Sequence, residues 1–309
     1  MVELLLDDLL DWSDWTARTR LSAKHLVVLG GSSMQCARYE SGQDDSPMYD
    51  GRGANLKSPH NPRGDLGGDF FSPPTTKGGA GLMEMADCGQ TSLAAQEAYA
   101  LADLAALVGK PAALVAALQR RGDTLVQAIE QHLWDPALQI FTNQFTANSS
   151  LYPRITPTSF YPLAVGAASA AQADVMMSRW FANTSHFAVT GELRGNPAAV
   201  HFGLPSVERS DRAFPVGYWR GNVWGPHAQL TYWSLQQHDH VSAVATARKA
   251  LAKQMDALLL SQWNANRHIC ENYSPSLGAP LSFGDCTGTH FYHWGALTGV
   301  IGLMEDGLW

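Results

Sequence analysis

Leu101-Ala102-Asp103-Leu104-Ala105-Ala106-Leu107-Val108-Gly109-Lys110-Pro111-Ala112-Ala113-Leu114-Val115-Ala116-Ala117-Leu118 reads as two helices and the break between them. Ala and Leu are strong helix formers, Gly109 supplies a stop, and Pro111 supplies a start, because the first helical turn has no use for the N–H that proline lacks. Outward from the break, the same composition runs back to Met83 and forward to about Trp134, where Asp135-Pro136 ends it. The expectation is a helical hairpin over Met83 to Val108 and Pro111 to Trp134.

The remaining periodic segments are also helical. Leu4 to Arg20 is amphipathic, with Asp7, Asp8, Asp11 and Asp14 early and Arg18 and Arg20 late, as the helix dipole favours. Thr158 to Val165, Ser169 to Phe181, Asn222 to Gln237, Val241 to Trp263 and His290 to Asp306 follow. Between them, His25 to Gly81, Phe187 to Trp219 and Asn264 to Thr289 are crowded with Gly, Pro, Asn, Asp and Ser, and are expected as long loops of the functional kind. No β-alternating run and no repeat stands out, so the expected fold is all-α, one domain over residues 1 to 309, with about seven to nine helices. Helix pairs with loops gathered at one end suggest a toroid of hairpins around a pit.

Composition excludes several classes. The chain has 309 residues, 45% hydrophobic and 16% charged, which is ordinary for a globular protein. A net charge of −7 and a pI near 5.8 argue against a nucleic-acid partner. No apolar stretch approaches the roughly 18 to 20 residues of a membrane span, and Met1 to Leu10 carries acids rather than a basic leader. Cys36, Cys88, Cys270 and Cys286 have no CxxC spacing, so no zinc knuckle is expected. They are read either as buried or free thiols, or as including a Cys270–Cys286 disulfide that braces a loop. Asp65-Leu66-Gly67-Gly68-Asp69 lacks the spaced acids of a calcium loop, and His60, His201 and His227 have no ligand spacing, so neither metal nor cofactor is expected. Asn148, Asn183 and Asn272 fit the glycosylation triplet.

Three motifs carry chemistry: Glu40-Ser41-Gly42-Gln43-Asp44-Asp45-Ser46-Pro47, Tyr218-Trp219-Arg220-Gly221-Asn222-Val223-Trp224, and Glu271-Asn272-Tyr273-Ser274-Pro275. Acids in turn-rich loops, with Trp and Arg, suit a site that grips a neutral polyhydroxyl ligand. Cleaving a glycosidic bond needs one carboxylic acid to protonate the leaving oxygen and a second carboxylate across the sugar ring. Asp44 and Glu271 are the candidates.

In order and separation these motifs, with Gly278 and His293-Trp294-Gly295, resemble the signatures of glycoside hydrolase family 63 and its relative trehalase, over about the whole chain. The resemblance implies an (α/α)6 barrel that hydrolyses α-glycosidic bonds with inversion, on gluco- or manno-configured oligosaccharides or small glycosides. It places the general acid on Asp44, with Asp45 as its competitor, and the general base on Glu271. Inversion implies carboxyl groups roughly 6.5 to 9.5 Å apart, and an acid of raised pKa, with Asp45 or Glu40 as the neighbours that raise it. Arg220 would grip hydroxyls or hold a carboxylate. Glu40 and Asp45 would also contact the substrate, Trp219, Trp224, Tyr273 and Trp294 with Tyr292 would wall the sugar subsite, and Tyr49 and Asp50 would line the entry. The family has several helices before the acid motif where this chain has one, so N-terminal hairpins are expected to be missing and the barrel incomplete. The alternatives are a truncated, catalytically inactive sugar-binding relative, and an epimerase that uses histidines as acid and base.

Overall fold

The hairpin forms around Gly109, which takes φ +72°. A computed structural model describes residues 2–50, 70–190, 200–201, 203–275 and 283–308. In it α1 (Val2–Thr19) precedes α2 (Met34–Glu40), the hairpin is α3 (Cys88–Leu107) with α4 (Ala112–His132), and α5 (Ala170–Met176), α6 (Gly225–Gln237), α7 (Ser242–Asn266) and α8 (His293–Glu305) complete the α-helices among the described residues. Residues Pro157–Val165 form a 3-10 segment against which α3 and α6 pack. Helices α6, α7 and α8 pack on one another, and the whole is a helical toroid. The main core runs from Leu26 to Ile301 and includes Phe141, Phe160, Phe181, Tyr232, Leu251 and Leu258. Each such side chain contributes about 1.5 to 3 kcal/mol through removal from water. A smaller cluster, Leu6 with Leu101, Ala102, Ala105 and Leu118, seats α1 on the hairpin. Among the described residues, no helix is long and apolar enough to cross a membrane.

Several expectations need correction. The stretch from His25 to Gly81 is not one loop: β1 (Val28–Gly31), α2 and β2 (Phe71–Ser72) lie within it. Nor does a helix start at Met83. Residues Gly81–Ala86 form β3, and α3 begins only after Asp87, whose carboxylate accepts the Gln90 N–H at 2.7 Å as an N-cap. Strands β6 (Asn143–Phe145) and β7 (Leu151–Tyr152) extend the sheet in the order β1-β3-β6-β7, with β2 also on β3, all antiparallel. The register sets Val28 opposite Ala86 and Met85 opposite Phe145. Short ladders join β4 (Trp134–Asp135) to β5 (Ile140–Phe141) and β8 (Val189–Thr190) to β9 (Val200–His201). The second acidic loop is likewise partly a ladder, β10 (Cys270–Tyr273) against β11 (Cys286–His290). Gly278, His60 and the 65–69 acidic run lie outside the described residues.

Candidate active site

The first motif is a turn held from below. Ser33 caps α2 by accepting the Cys36 N–H, and the helix ends at Ser41 and Gly42, whose φ of +74° reverses the chain. Asp44 follows half-buried and Asp45 buried, before Ser46 caps the 3-10 turn Pro47–Tyr49. That turn delivers Asp50, fully buried, into a set of guanidinium groups. Arg220 makes two bonds to its carboxylate at 2.7 Å each, Arg38 donates at 2.9 Å, and Arg154 at 3.4 Å. Arg154 also pairs with Asp211 at 2.7 Å.

The second motif is thereby fixed to the first. Besides the Arg220–Asp50 pair, the Trp219 N–H donates to Asp45 at 3.2 Å, and Arg220 Nε lies 3.8 Å from the same carboxylate. The third motif is fixed to the second by backbone. Val223 and Tyr273 exchange two hydrogen bonds of 2.9 Å, and Asn222 Nδ2 donates to Asn272 Oδ1 at 2.7 Å. A Cys270–Cys286 disulfide, Cα atoms 5.5 Å apart, staples β10 to β11. A chain of contacts thus runs from Asp45 and Asp50 through residues 219–223 to Glu271.

The side chains that converge are Asp44, Tyr218 and Glu271. Burial first, and then the charge of Glu271, raises the Asp44 carboxyl above its usual range. The neighbours expected to do this, Asp45 and Glu40, are turned elsewhere. Burial, followed by the charges of Asp44, Glu271 and Asp45 in that order, holds the Tyr218 hydroxyl well above its usual pKa, so it stays protonated as a donor. It donates to Glu271 Oε1 at 3.5 Å, and the Thr289 N–H donates to Oε2 at 3.0 Å. Tyr218 itself has φ +54°, unusual for an aromatic residue and of the kind found where a side chain is aimed for function. Gly288, at φ +79°, leaves room for Glu271: a Cβ there would fall 2.6 Å from Oε2.

Most of the expected sugar contacts are spent inside the protein. Tyr49 is buried with its hydroxyl donated to Asp87 at 2.8 Å, so it lines no entry, and Asp50 is buried too. Glu40 accepts from Arg20 at 2.8 Å and from the Gly30 N–H at 2.6 Å. Trp219 and Trp224 are buried and stacked on each other, centroids 3.7 Å apart and 4° from parallel, which leaves neither face for a sugar. Tyr273 is buried, its hydroxyl donated to the Gly295 carbonyl at 3.3 Å. Arg220 and Asp45 are buried and serve the frame described above. Of the aromatic set Trp294 and Tyr292 are partly exposed, 5.5 Å apart, with Trp294 edge-on to both buried Trp rings. Asn272 is buried and hydrogen-bonded, so its triplet takes no glycan.

Tyr218, Thr289 and Gly288 gain their roles only from the structure. Tyr218 lies in plain view at the head of the Trp motif. The positive φ values are invisible in sequence, since only Gly217 and Gly221 around it hint at an unusual backbone.

On this helical toroid the match to a glycoside hydrolase family model makes the chain a glycosidase. The chain belongs to the mannosylglycerate hydrolase MGH1-like glycoside hydrolase domain family, within glycoside hydrolase family 63, whose profile matches residues 1–294. Solved structures share the fold. The GH63 mannosylglycerate hydrolase from Thermus thermophilus, in complex with glucose, is 19% identical with a TM-score of 0.65, over 97% of this chain and 68% of that one. Neutral trehalase from Saccharomyces cerevisiae is 16% identical with a TM-score of 0.51, over 72% of this chain and 38% of that one. No curated protein matches.

Proposed function

We propose that this chain, as a single catalytic unit, hydrolyses α-glycosidic bonds with inversion, on gluco- or manno-configured glycosides or oligosaccharides. Asp44 is the general acid: its proton passes to the glycosidic oxygen as the bond to the anomeric carbon breaks. Glu271 is the general base: it takes a proton from water as that water attacks the anomeric carbon from the opposite face. The observation that carries this is the pair itself. One carboxyl has its pKa raised by burial and by the other's charge, and the other is held in place by two hydrogen-bond donors. Asp44 is preferred over Asp45, whose carboxylate is buried and accepts the Trp219 N–H. Tyr218 orients Glu271 and closes the side of the site between the two acids. His227, the histidine beside the Trp motif, is unsuited to act as acid or base, since burial pushes it down to about 3 and it is sealed under Trp219.

The fold's solved relatives include a mannosylglycerate hydrolase and a trehalase, which sets the first substrates to try. The test is a panel of mannosylglycerate, trehalose, aryl α-glycosides and kojibiose- or nigerose-type disaccharides, with the first-formed anomer followed by NMR. Release of the β-anomer, abolished in Asp44→Asn and Glu271→Gln, is expected. Release of the α-anomer overturns the mechanism, and sugar binding without turnover favours an inactive sugar-binding relative.

A further inference from the structure

The hairpin that carries Glu271 holds a second constellation, independent of the hydrolytic reading. A ring nitrogen of His268 and the Sγ atoms of Cys270 and Cys286 lie within 4.8 Å of one another, the one such group of metal-binding donors among the described residues. Sequence spacing could not show it, because the cysteines are 16 residues apart and meet only across the β10–β11 ladder. The imidazole already has the tautomer of a ligand. Its Nδ1 lies 3.1 Å from the Asn266 carbonyl, an acceptor that places the proton on Nδ1 and the lone pair on Nε2. Nε2 is buried and has no hydrogen-bond partner. A ring nitrogen held by a backbone carbonyl, with the other left free, is the arrangement metal-binding histidines use. Stacking on His290, 4.1 Å between centroids and 15° from parallel, fixes the ring plane.

We propose that, once the Cys270–Cys286 bond is reduced, His268, Cys270 and Cys286 form a binding site for a thiophilic divalent cation such as zinc. A dithiol reductant supplies two electrons and two protons, the S–S bond breaks to two thiols, and the reductant closes to its own disulfide. The cation then displaces both thiol protons and binds two thiolates and Nε2, with water completing a tetrahedron. Metal–sulfur bonds of about 2.3 Å and metal–nitrogen bonds of about 2.0 Å need donors roughly 3.5 Å apart, within reach of side-chain rotation from the present spacing. Disulfide and metal site exclude each other, so the hairpin has one staple under oxidising conditions and a different one under reducing conditions.

The test uses cobalt as a probe. The full chain is reduced with dithiothreitol under anaerobic conditions, freed of reductant and titrated with Co²⁺, while the near-ultraviolet thiolate-to-cobalt band is followed. One equivalent per chain is expected for the reduced protein and none for the oxidised protein. His268→Ala should weaken binding about tenfold or more, while Cys36→Ser, which removes the exposed free thiol, should leave it unchanged. Zinc should protect Cys270 and Cys286 from alkylation in the reduced wild type, read by peptide mass spectrometry. Binding by the reduced chain no stronger than by the oxidised one overturns the proposal, since it requires that the reduced hairpin keep its fold. Undiminished binding in His268→Ala overturns it equally.

Discussion

Gly288 and Gly42 have nearly the same backbone, φ +79° and +74°, yet a methyl group means different things at each. At Gly42 a Cβ meets nothing within 4 Å, whereas at Gly288 it would strike Glu271 Oε2 at 2.6 Å and Asn272 Nδ2 at 2.8 Å. Both Ala substitutions incur left-handed strain of about 1 to 2 kcal/mol. Only Gly288→Ala also displaces the candidate base. Its kcat should therefore fall about 100-fold, the usual consequence of misplacing a catalytic group by about an ångström, while Gly42→Ala keeps its activity at a similarly lowered Tm. Equal kcat in the two variants would mean that Glu271 is not the group whose position matters. Tyr218 allows a gentler change. Tyr218→Phe keeps the ring against Trp224, at 5.0 Å, and removes the hydroxyl that donates to Glu271. A drop of about tenfold in kcat with an unchanged Tm is expected, as for loss of one hydrogen bond to a charged group. An unchanged kcat would reduce Tyr218 to a wall of the site.

At the scale of elements, Asp50 joins pieces distant in sequence: α2 through Arg38, the segment after β7 through Arg154, and the Trp motif through Arg220. Removing one partner of a buried pair leaves the others charged and uncompensated, which costs about 3 to 5 kcal/mol. Asp50→Ala should accordingly unfold at markedly lower urea concentration than wild type. A midpoint within experimental scatter of wild type would show that water replaces the carboxylate. This frame is not legible in the sequence, where Arg38, Asp50, Arg154 and Arg220 are separate charges with no spacing to relate them. Helices are legible where composition or period is strong: α3 is 20 residues rich in the helix formers Ala and Leu, and α4 gathers its apolar residues on one face. Strand β3 is not, since Leu82-Met83-Glu84-Met85-Ala86 is short and runs into an Ala-rich helix. The boundary nevertheless has a mark: Asp87, three residues ahead of Gln90, is the acid-then-amide pattern of a helix start. Strands β10 and β11 are held by a disulfide and by partners from other elements, so their own residues carry little β signal.

Over the whole molecule, the motifs are legible in the sequence but the work of their bulky residues is not. Trp219, Trp224 and Tyr273 read as sugar walls because large aromatics beside acids suggest a subsite, yet they form the packed floor on which Asp44, Tyr218 and Glu271 stand. A site built in this way burdens the fold with a desolvated acid, and the burden has a sign. The pKa of Asp44 is raised in the folded chain by burial and then by Glu271, so the folded state retains a proton that the unfolded chain gives up near its ordinary value of about 3.9. Stability therefore falls as pH rises from that value through the raised one, and stays lower above it. An amide has no such proton to lose. Asp44→Asn should melt above wild type near pH 7, by about 1 to 3 °C for a half-buried group partly screened by solvent, and the difference should vanish below about pH 4. Thermal unfolding of both proteins across this range, by differential scanning fluorimetry, measures it. A lower Tm for Asp44→Asn at neutral pH would mean that the ionised carboxylate is stabilised where it stands, leaving no raised acid to donate a proton.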